Sequence, residues 1–119
     1  MNKVNINEKL SAVEEFWSPK IIGELNNQHI KVVKVKDSFI WHKHEKEDEL
    51  FMVIKGKLKI HLRDKTIHLN EGEFFIVEKG VEHKPAADEE VHILLFEPIG
   101  TLNTGNVKNE RTVKEPERI

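Results

Sequence analysis

Short segments in which polar and apolar residues alternate follow one another through most of this chain after Gly23. Glycine-containing turns separate them, for example at Asn70-Glu71-Gly72 and at Gly80. Many short strands divided by turns are typical of a β-sandwich or a β-barrel, because the side chains of a strand point alternately to its two faces. The pattern therefore predicts an all-β fold. The expected strands are 29–35, 39–44, 49–55, 57–63, 66–69, 74–77 and 91–96.

The N-terminal residues carry a helical pattern instead. Apolar residues recur at steps of three and four from Ile6 to Trp17, and Asn5 with Glu8 resembles a capping box. Pro19 disfavours helical geometry in the residue before it. These features predict a short helix over about 6–17, packed on the main body through its apolar stripe.

The length of 119 residues matches one domain, since compact domains commonly hold about 100 to 150 residues. The residues after Pro98 are rich in glycine and asparagine and poor in apolar side chains. The few scattered apolar residues there favour an arm that lies on the barrel or on a partner subunit over a disordered tail. We expect one domain over 1–119, with a helix at about 6–17, a barrel at about 28–98 and an irregular C-terminal arm at 99–119.

Composition excludes several classes of function. The 19 basic and 21 acidic residues leave a formal net charge of −2 without a basic patch, which disfavours a nucleic-acid partner. The longest apolar run, 50–54, is far too short to cross a membrane, and no apolar signal segment is seen near the N-terminus, so we expect a soluble cytoplasmic protein. The absence of cysteine leaves histidine and carboxylate as the strong metal ligands.

His42 and His44 are the most informative candidates for a site. On a strand, residues two apart project from the same side, about 6.6 Å from each other, and two imidazoles at that spacing can chelate a metal. Glu49 follows a charged run suited to a turn, which would bring its carboxylate back near the imidazoles, and His83 is placed to complete the set. The competing interpretation is a charged hairpin tip whose residues are merely solvated.

The spacing of these residues resembles the first motif of the cupins, which has the form G-x5-H-x-H-x3,4-E-x6-G. Here the motif appears as His42-x-His44-x4-Glu49-x6-Gly56, complete except for Lys36 at its opening glycine. Agreement at this many fixed positions favours a metal site over a solvated hairpin tip.

The second cupin motif, G-x5-P-x-G-x2-H-x3-N, is also recognisable. Gly72, Gly80 and His83 occupy their expected positions, with Glu78 in place of the proline and Ala87 in place of the asparagine. All four ligand positions of the family are therefore present, and the departures fall on positions that shape turns.

Within the cupins, the chain resembles small stand-alone proteins often labelled mannose-6-phosphate-isomerase-like. The resemblance implies an antiparallel jelly-roll β-barrel, a homodimer, and a metal ion held by three imidazoles and one carboxylate. The implied ligands are His42, His44, Glu49 and His83.

Three nitrogens and one oxygen suit a divalent transition metal, namely zinc, iron, manganese, nickel or copper. The first functional hypothesis is a metalloenzyme that acts on a small polar metabolite by isomerase-like, lyase or dioxygenase chemistry. The alternative is a non-catalytic cupin that binds a sugar or another small metabolite. The chain has no tyrosine, so acid–base work would fall to Glu49, to His92 or to bound water, and no catalytic residue is assigned.

Overall fold

Seven strands and one short helix make up the computed structural model, which describes residues 1–119. The elements are α1 (Ile6–Ser11), β1 (Lys20–Leu25), β2 (Gln28–Ser38), β3 (Glu49–Lys55), β4 (Leu58–Leu62), β5 (Thr66–Leu69), β6 (Phe74–Val77) and β7 (His83–Pro98). All strand pairs are antiparallel, in the order β1-β2-β7-β3-β6, and β4 pairs with both β7 and β5. The pairings do not close into a complete ring, but the arrangement confirms the predicted all-β jelly roll. No helix has the length and apolar character needed to span a membrane.

Strand β7 is the centre of the architecture, because its 16 residues pair with three other strands. Its first part pairs with β4, where His83 lies opposite Leu62. Its second part lies between β2 and β3, where Ile93 is opposite Val33 on one side and Val53 on the other. One face of these strands turns inward and forms the main core. That core contains Val33, Val35, Phe51, Val53, Leu58, Ile60, Leu69, Val77, Ala87, Val91, Ile93 and Leu95.

A second, smaller core lies on the outer face of β2, beneath α1. Asn5 caps the helix as predicted, since its Oδ1 accepts a hydrogen bond of 2.9 Å from the amide of Glu8. Leu10 and Val13 are each 2% exposed and pack with Val32 of β2. Burying one such side chain contributes about 1.5–3 kcal/mol to stability. Neighbouring residues of β2 therefore support different cores on opposite faces.

The helix is shorter than the sequence predicted. The expected range was 6–17, whereas α1 ends at Ser11. Trp17 instead takes a positive φ of 59°, and its amide donates to the carbonyl oxygen of Lys34 at 2.8 Å. A hydrogen bond to β2 thus replaces the last turns of the predicted helix.

The strand predicted at 39–44 does not form. The chain leaves β2 after a bulge and a positive φ of 65° at Asp37, and its next residues join the barrel through isolated contacts, among them one β-bridge between His42 and His83. Strand β3 pairs with β6 and β7 and not with this histidine segment. The prediction that a turn returns the chain from a regular histidine strand to Glu49 is therefore wrong.

Other strands agree with the prediction or extend it. The strands at 49–55, 66–69 and 74–77 are confirmed with their predicted bounds. The sequence analysis did not predict strand β1. Asn26 and Asn27, with φ values of 46° and 64°, form the tight turn that joins β1 to β2, and such an asparagine pair is a sequence signal for a hairpin. Strand β7 was predicted only over 91–96 and begins eight residues earlier, at His83.

The segment after Pro98 contains neither helix nor strand and folds in turns against the sheet. Thr101 and Thr104 are buried. At the far end, the carbonyl of Glu117 accepts a hydrogen bond of 2.9 Å from the amide of Ile21, and the amide of Ile119 donates to the carbonyl of Ile21 at 3.0 Å. This C-terminal arm is therefore held at both its beginning and its end.

Gly56, in the turn between β3 and β4, offers a test of this architecture. It has a φ of 95°, and an added Cβ would lie 3.1 Å from both the Glu90 carbonyl oxygen and Val91 Cγ2. Gly72 has a similar φ of 82° but nothing within 4 Å of the added atom. Both Gly→Ala changes should cost about 1–2 kcal/mol of unfolding free energy for the backbone conformation. Gly56→Ala should cost about 1 kcal/mol more than Gly72→Ala, because its methyl group is crowded. Urea denaturation measures both unfolding free energies. Equal losses of unfolding free energy would contradict the close approach of Gly56 to Glu90 and Val91.

Candidate metal centre

The four predicted ligands come from three separate parts of the chain and meet inside the barrel. His42 and His44 lie in the irregular segment after β2, Glu49 is the first residue of β3, and His83 is the first residue of β7. The backbones of His42 and His83 exchange two hydrogen bonds, of 3.0 and 2.9 Å, and the carbonyl of His44 accepts one of 2.7 Å from the Gly80 amide. These bonds position the histidines without a regular strand.

The side chains of the four residues converge on one point. One nitrogen or oxygen from each lies within 4.8 Å of the others. Glu49 Oε1 is 3.2 Å from His44 Nε2 and 3.5 Å from His83 Nε2. Ligand atoms bound to one ion at about 2.0–2.2 Å are separated by similar distances. All four residues are buried, with at most 3% of their surface exposed.

In His42 and His83, one ring nitrogen bonds to the backbone, and the other, Nε2, is left free to face the point where the four side chains converge. The Nδ1–H of His42 donates to the carbonyl oxygen of Ile40 at 2.9 Å, and that of His83 donates to Val81 at 3.0 Å. Such bonds fix the tautomer and direct Nε2 as a ligand.

Several polar atoms at the centre are buried without any partner. Both ring nitrogens of His44, Nε2 of His83 and Oε1 of Glu49 make no hydrogen bond. Buried polar atoms nearly always have a hydrogen-bond partner, so the lack of partners for these four atoms needs an explanation. A divalent transition metal fits this set of donors, since imidazole and carboxylate are its common ligands.

Electrostatics favours the metal-binding protonation states. Burial, followed by the neighbouring His83, lowers the pKa of His42 to about 4, so its ring is neutral at neutral pH. Burial alone would raise the pKa of the Glu49 carboxyl, but the close side chains of Glu97, His44 and His83 outweigh it and hold this pKa well below its usual range. Glu49 is therefore ionised and able to bind a cation.

Sequence reasoning missed two charged residues behind the ligands. Lys31 and Glu97 are each 2% exposed, and Lys31 Nζ lies 2.7 Å from Glu97 Oε1. Burial, and then the charge of Glu49, raise the pKa of the Glu97 carboxyl well above its usual range. Glu97 thus lies between the buried Lys31 and the carboxyl group of Glu49, and the pKa values of the two carboxyl groups are displaced in opposite directions.

Strand alternation could have identified both residues. Lys31 has the same parity as Val33 and Val35 on β2, and Glu97 has the same parity as Ile93 and Leu95 on β7. Because Phe96 pairs with Leu50, Glu97 lies across from Glu49 on the neighbouring strand. Two charges on inward faces of a barrel are the signal that was overlooked.

A cavity with predominantly apolar walls opens beside the ligands, and His42 and Glu49 form part of its wall. The space in which the centre of a water-sized molecule can move is about 30 Å³. The remaining wall residues are Trp17, Pro19, Val33, Val35, Phe39, Phe51, Pro85, Ile93, Leu95 and Asn103.

His92, considered above for acid–base work, does not line the cavity. Its Nε2 is 2.6 Å from Glu90 Oε2, and both residues lie away from the four ligands. His29, His61 and His68 also lie outside the cavity wall.

The C-terminal arm holds the segment between the first two ligands. The amide of Lys43 donates to Asn106 Oδ1 at 2.9 Å, and the carbonyl of Lys43 accepts from the Asn106 amide at 3.0 Å. Gly105 packs so closely that an added Cβ would lie 2.3 Å from the Lys43 carbonyl oxygen and 3.1 Å from His42 Cδ2. The arm therefore positions His42 and His44 through the residue between them.

We expect Asn106→Ala to weaken metal binding by about ten- to a hundredfold, the usual effect of losing a group that orients metal ligands. The dissociation constant for Co²⁺ or Zn²⁺, measured by competition with a chromophoric chelator, would report this. The matched control is Asn109→Ala, because Asn109 lies on the same arm and bonds only within it. Equal metal affinities for the two variants would show that the arm does not position the ligands.

Comparison with known proteins identifies the family and agrees with the fold. The family model described as Cupin domain matches residues 29–97. A cupin-2 domain containing protein from Shewanella frigidimarina NCIMB 400 is 46% identical, with a TM-score of 0.79 over 80% of this chain and 93% of that one. Protein NMB1881 from Neisseria meningitidis is 26% identical, with a TM-score of 0.76 over 82% and 99% of the two chains.

A curated relative, the uncharacterised protein YdbB of Bacillus subtilis (strain 168), is 33% identical over 75 residues. This match covers 62% of the present chain and 66% of the relative, just under two thirds of its length. Since the family model covers more than half of the chain and the fold agrees with it, the protein belongs to the cupin family.

Proposed function

We propose that this cupin binds one divalent transition metal and acts as a metalloenzyme on a small metabolite whose polar atoms reach the metal. The observation that supports the proposal is the buried group of three histidines and one glutamate, whose unpartnered atoms lie beside an open cavity. Isomerase-like, lyase and dioxygenase reactions all use such a centre. His42, His44, Glu49 and His83 are the proposed ligands.

Zinc, iron, manganese, nickel or copper at this site would polarise a substrate oxygen or acidify a bound water. The mainly apolar wall lowers the local polarity and so strengthens charge interactions at the site. Glu97 lies behind Glu49, and burial and the charge of Glu49 raise the pKa of its carboxyl group well above the usual range. Glu49 is the one carboxyl group in the cavity wall, and we propose no other residue for acid–base work.

The alternative is a non-catalytic cupin that binds a small metabolite. It is favoured by the cavity wall, which contains no acid, base or nucleophile apart from the proposed metal ligands. The mannose-6-phosphate-isomerase-like label gains no support, since no lysine or arginine lines the cavity to hold a phosphate. The expected cytoplasmic location stays a prediction.

Metal content is the first test. Protein purified without chelator or nickel resin should contain about one equivalent of transition metal per chain, and His44→Ala should contain far less, because it removes a buried ligand. His68→Ala is the matched control, since His68 is exposed and lies outside the cluster. Equal, near-zero metal in all three proteins after reconstitution would refute the metal site. Oxygen uptake and product formation over a metabolite panel would then separate an enzyme from a binder.

We also propose that the protein forms a homodimer through the outer face of β3, β6 and β7. Leu50 lies between Ile76 and Phe96, and Met52 lies between Phe74 and Leu94, in two adjacent apolar rows. Phe74 is 57% and Ile76 46% exposed. Exposed apolar patches of this kind mark interaction sites, and a second copy offers a matching apolar surface around a twofold axis.

Phe74→Glu should convert a dimer to a monomer, because it places a charge in the proposed apolar contact. Light scattering after size-exclusion chromatography gives the mass. Leu25→Glu is the control, since Leu25 is similarly exposed, at 53%, but belongs to β1 at the other edge of the sheet. A wild-type mass of one chain, or an unchanged dimer in Phe74→Glu, would refute this interface.

A further inference from the structure

The cavity beside the metal centre has very few polar atoms in its wall. Apart from Trp17, only His42, Glu49 and Asn103 carry polar side-chain atoms there. The wall contains no lysine, arginine, serine or threonine. A ligand can therefore gain hydrogen bonds from few side chains.

Most of those polar atoms are already engaged. Trp17 Nε1–H donates to the carbonyl of Lys36 at 2.8 Å. Asn103 Nδ2–H donates to the carbonyl of Arg111 at 2.8 Å, and its Oδ1 accepts from the Val113 amide at 2.8 Å.

The remaining polar atoms belong to the metal centre. His42 Nδ1 is bonded to Ile40, which leaves Nε2 for the metal, and Glu49 contacts His44 and His83. Once a metal is held, the wall side chains offer almost no further hydrogen-bonding groups, and the metal is the main polar contact available to a ligand.

We propose that the ligand is a compact, uncharged molecule with an apolar body and one or two oxygen donors at one end, such as a vicinal diol, an enol or a ketone. This inference rests on the proposed function and narrows its substrate class. The oxygen atoms would bind a metal held by the four ligands, and the apolar body would pack against side chains such as Val33, Phe39 and Ile93. A sugar or polyol is disfavoured, because its other hydroxyl groups lose water without gaining partners in the wall.

Two small molecules can test whether the cavity prefers an apolar ring over a ring that carries many hydroxyl groups. cis-1,2-Cyclohexanediol and myo-inositol share a six-membered carbon ring and a cis pair of adjacent hydroxyl groups, and inositol adds hydroxyl groups around the rest of the ring. Their dissociation constants for zinc-loaded protein can be measured by ligand-observed NMR. We expect the diol to bind at least about tenfold more tightly than inositol. Equal or tighter binding of inositol, or no binding of the diol, would overturn the inference.

A matched pair of variants tests whether the wall causes the preference. Val33→Thr places a hydroxyl group in the cavity wall with little change in shape, and should reduce the preference for the diol severalfold. Val32→Thr is the control, because the neighbouring Val32 lies on the opposite face beneath α1. Circular dichroism and metal content would establish that both variants fold and bind zinc. An unchanged preference in Val33→Thr, or the same change in Val32→Thr, would contradict the inference.

Metal analysis of the same samples separates this inference from the proposed function. Protein that takes up no metal refutes the metalloenzyme, and the inference with it. Protein that binds zinc stoichiometrically but prefers inositol leaves the metal centre intact and refutes the ligand class alone.

Discussion

Two backbone hydrogen bonds between His42 and His83 are the interaction on which the rest of the site depends. They join an irregular segment to the first residue of β7, the strand that organises both parts of the barrel. The same segment is also bonded to β7 through Phe39, whose amide donates to the carbonyl oxygen of Pro85 at 2.9 Å. The bridge places two imidazoles at a centroid separation of 4.3 Å and, through the next residues, brings His44 toward Glu49. Ligand geometry here comes from tertiary contacts and not from strand periodicity.

This explains which parts of the structure could be predicted from the sequence. The spacing of His42, His44, Glu49 and His83 identified residues that do converge, and alternation identified β3, β5 and β6 with their bounds. The physical argument for the first two ligands was nevertheless wrong, because it assumed a regular strand. Local patterns report which faces are apolar, but they do not report long-range bridges between segments some forty residues apart.

The buried charges show a second limit of local reasoning. Lys31 and Glu97 are 66 positions apart and meet only because β2 and β7 pair. Each looked like an ordinary surface charge in its own segment. Inside the barrel they adjust the charge around Glu49, since two carboxyl groups across neighbouring strands cannot both ionise cheaply in an apolar interior. The candidate metal centre therefore includes supporting residues that the ligand motif does not encode.

The close packing of Gly105 against Lys43 means that the candidate site depends on residues outside the range that matches the family. The family match covers residues 29–97. Trp17, which precedes the matched range, and Asn103, which follows it, both line the cavity. Gly105, also beyond the matched range, packs against Lys43 and His42. A segment defined by the shared family sequence would contain all four ligands and lack part of the surface that surrounds them. The residues on either side of the family match therefore help to decide which molecules this cavity can hold.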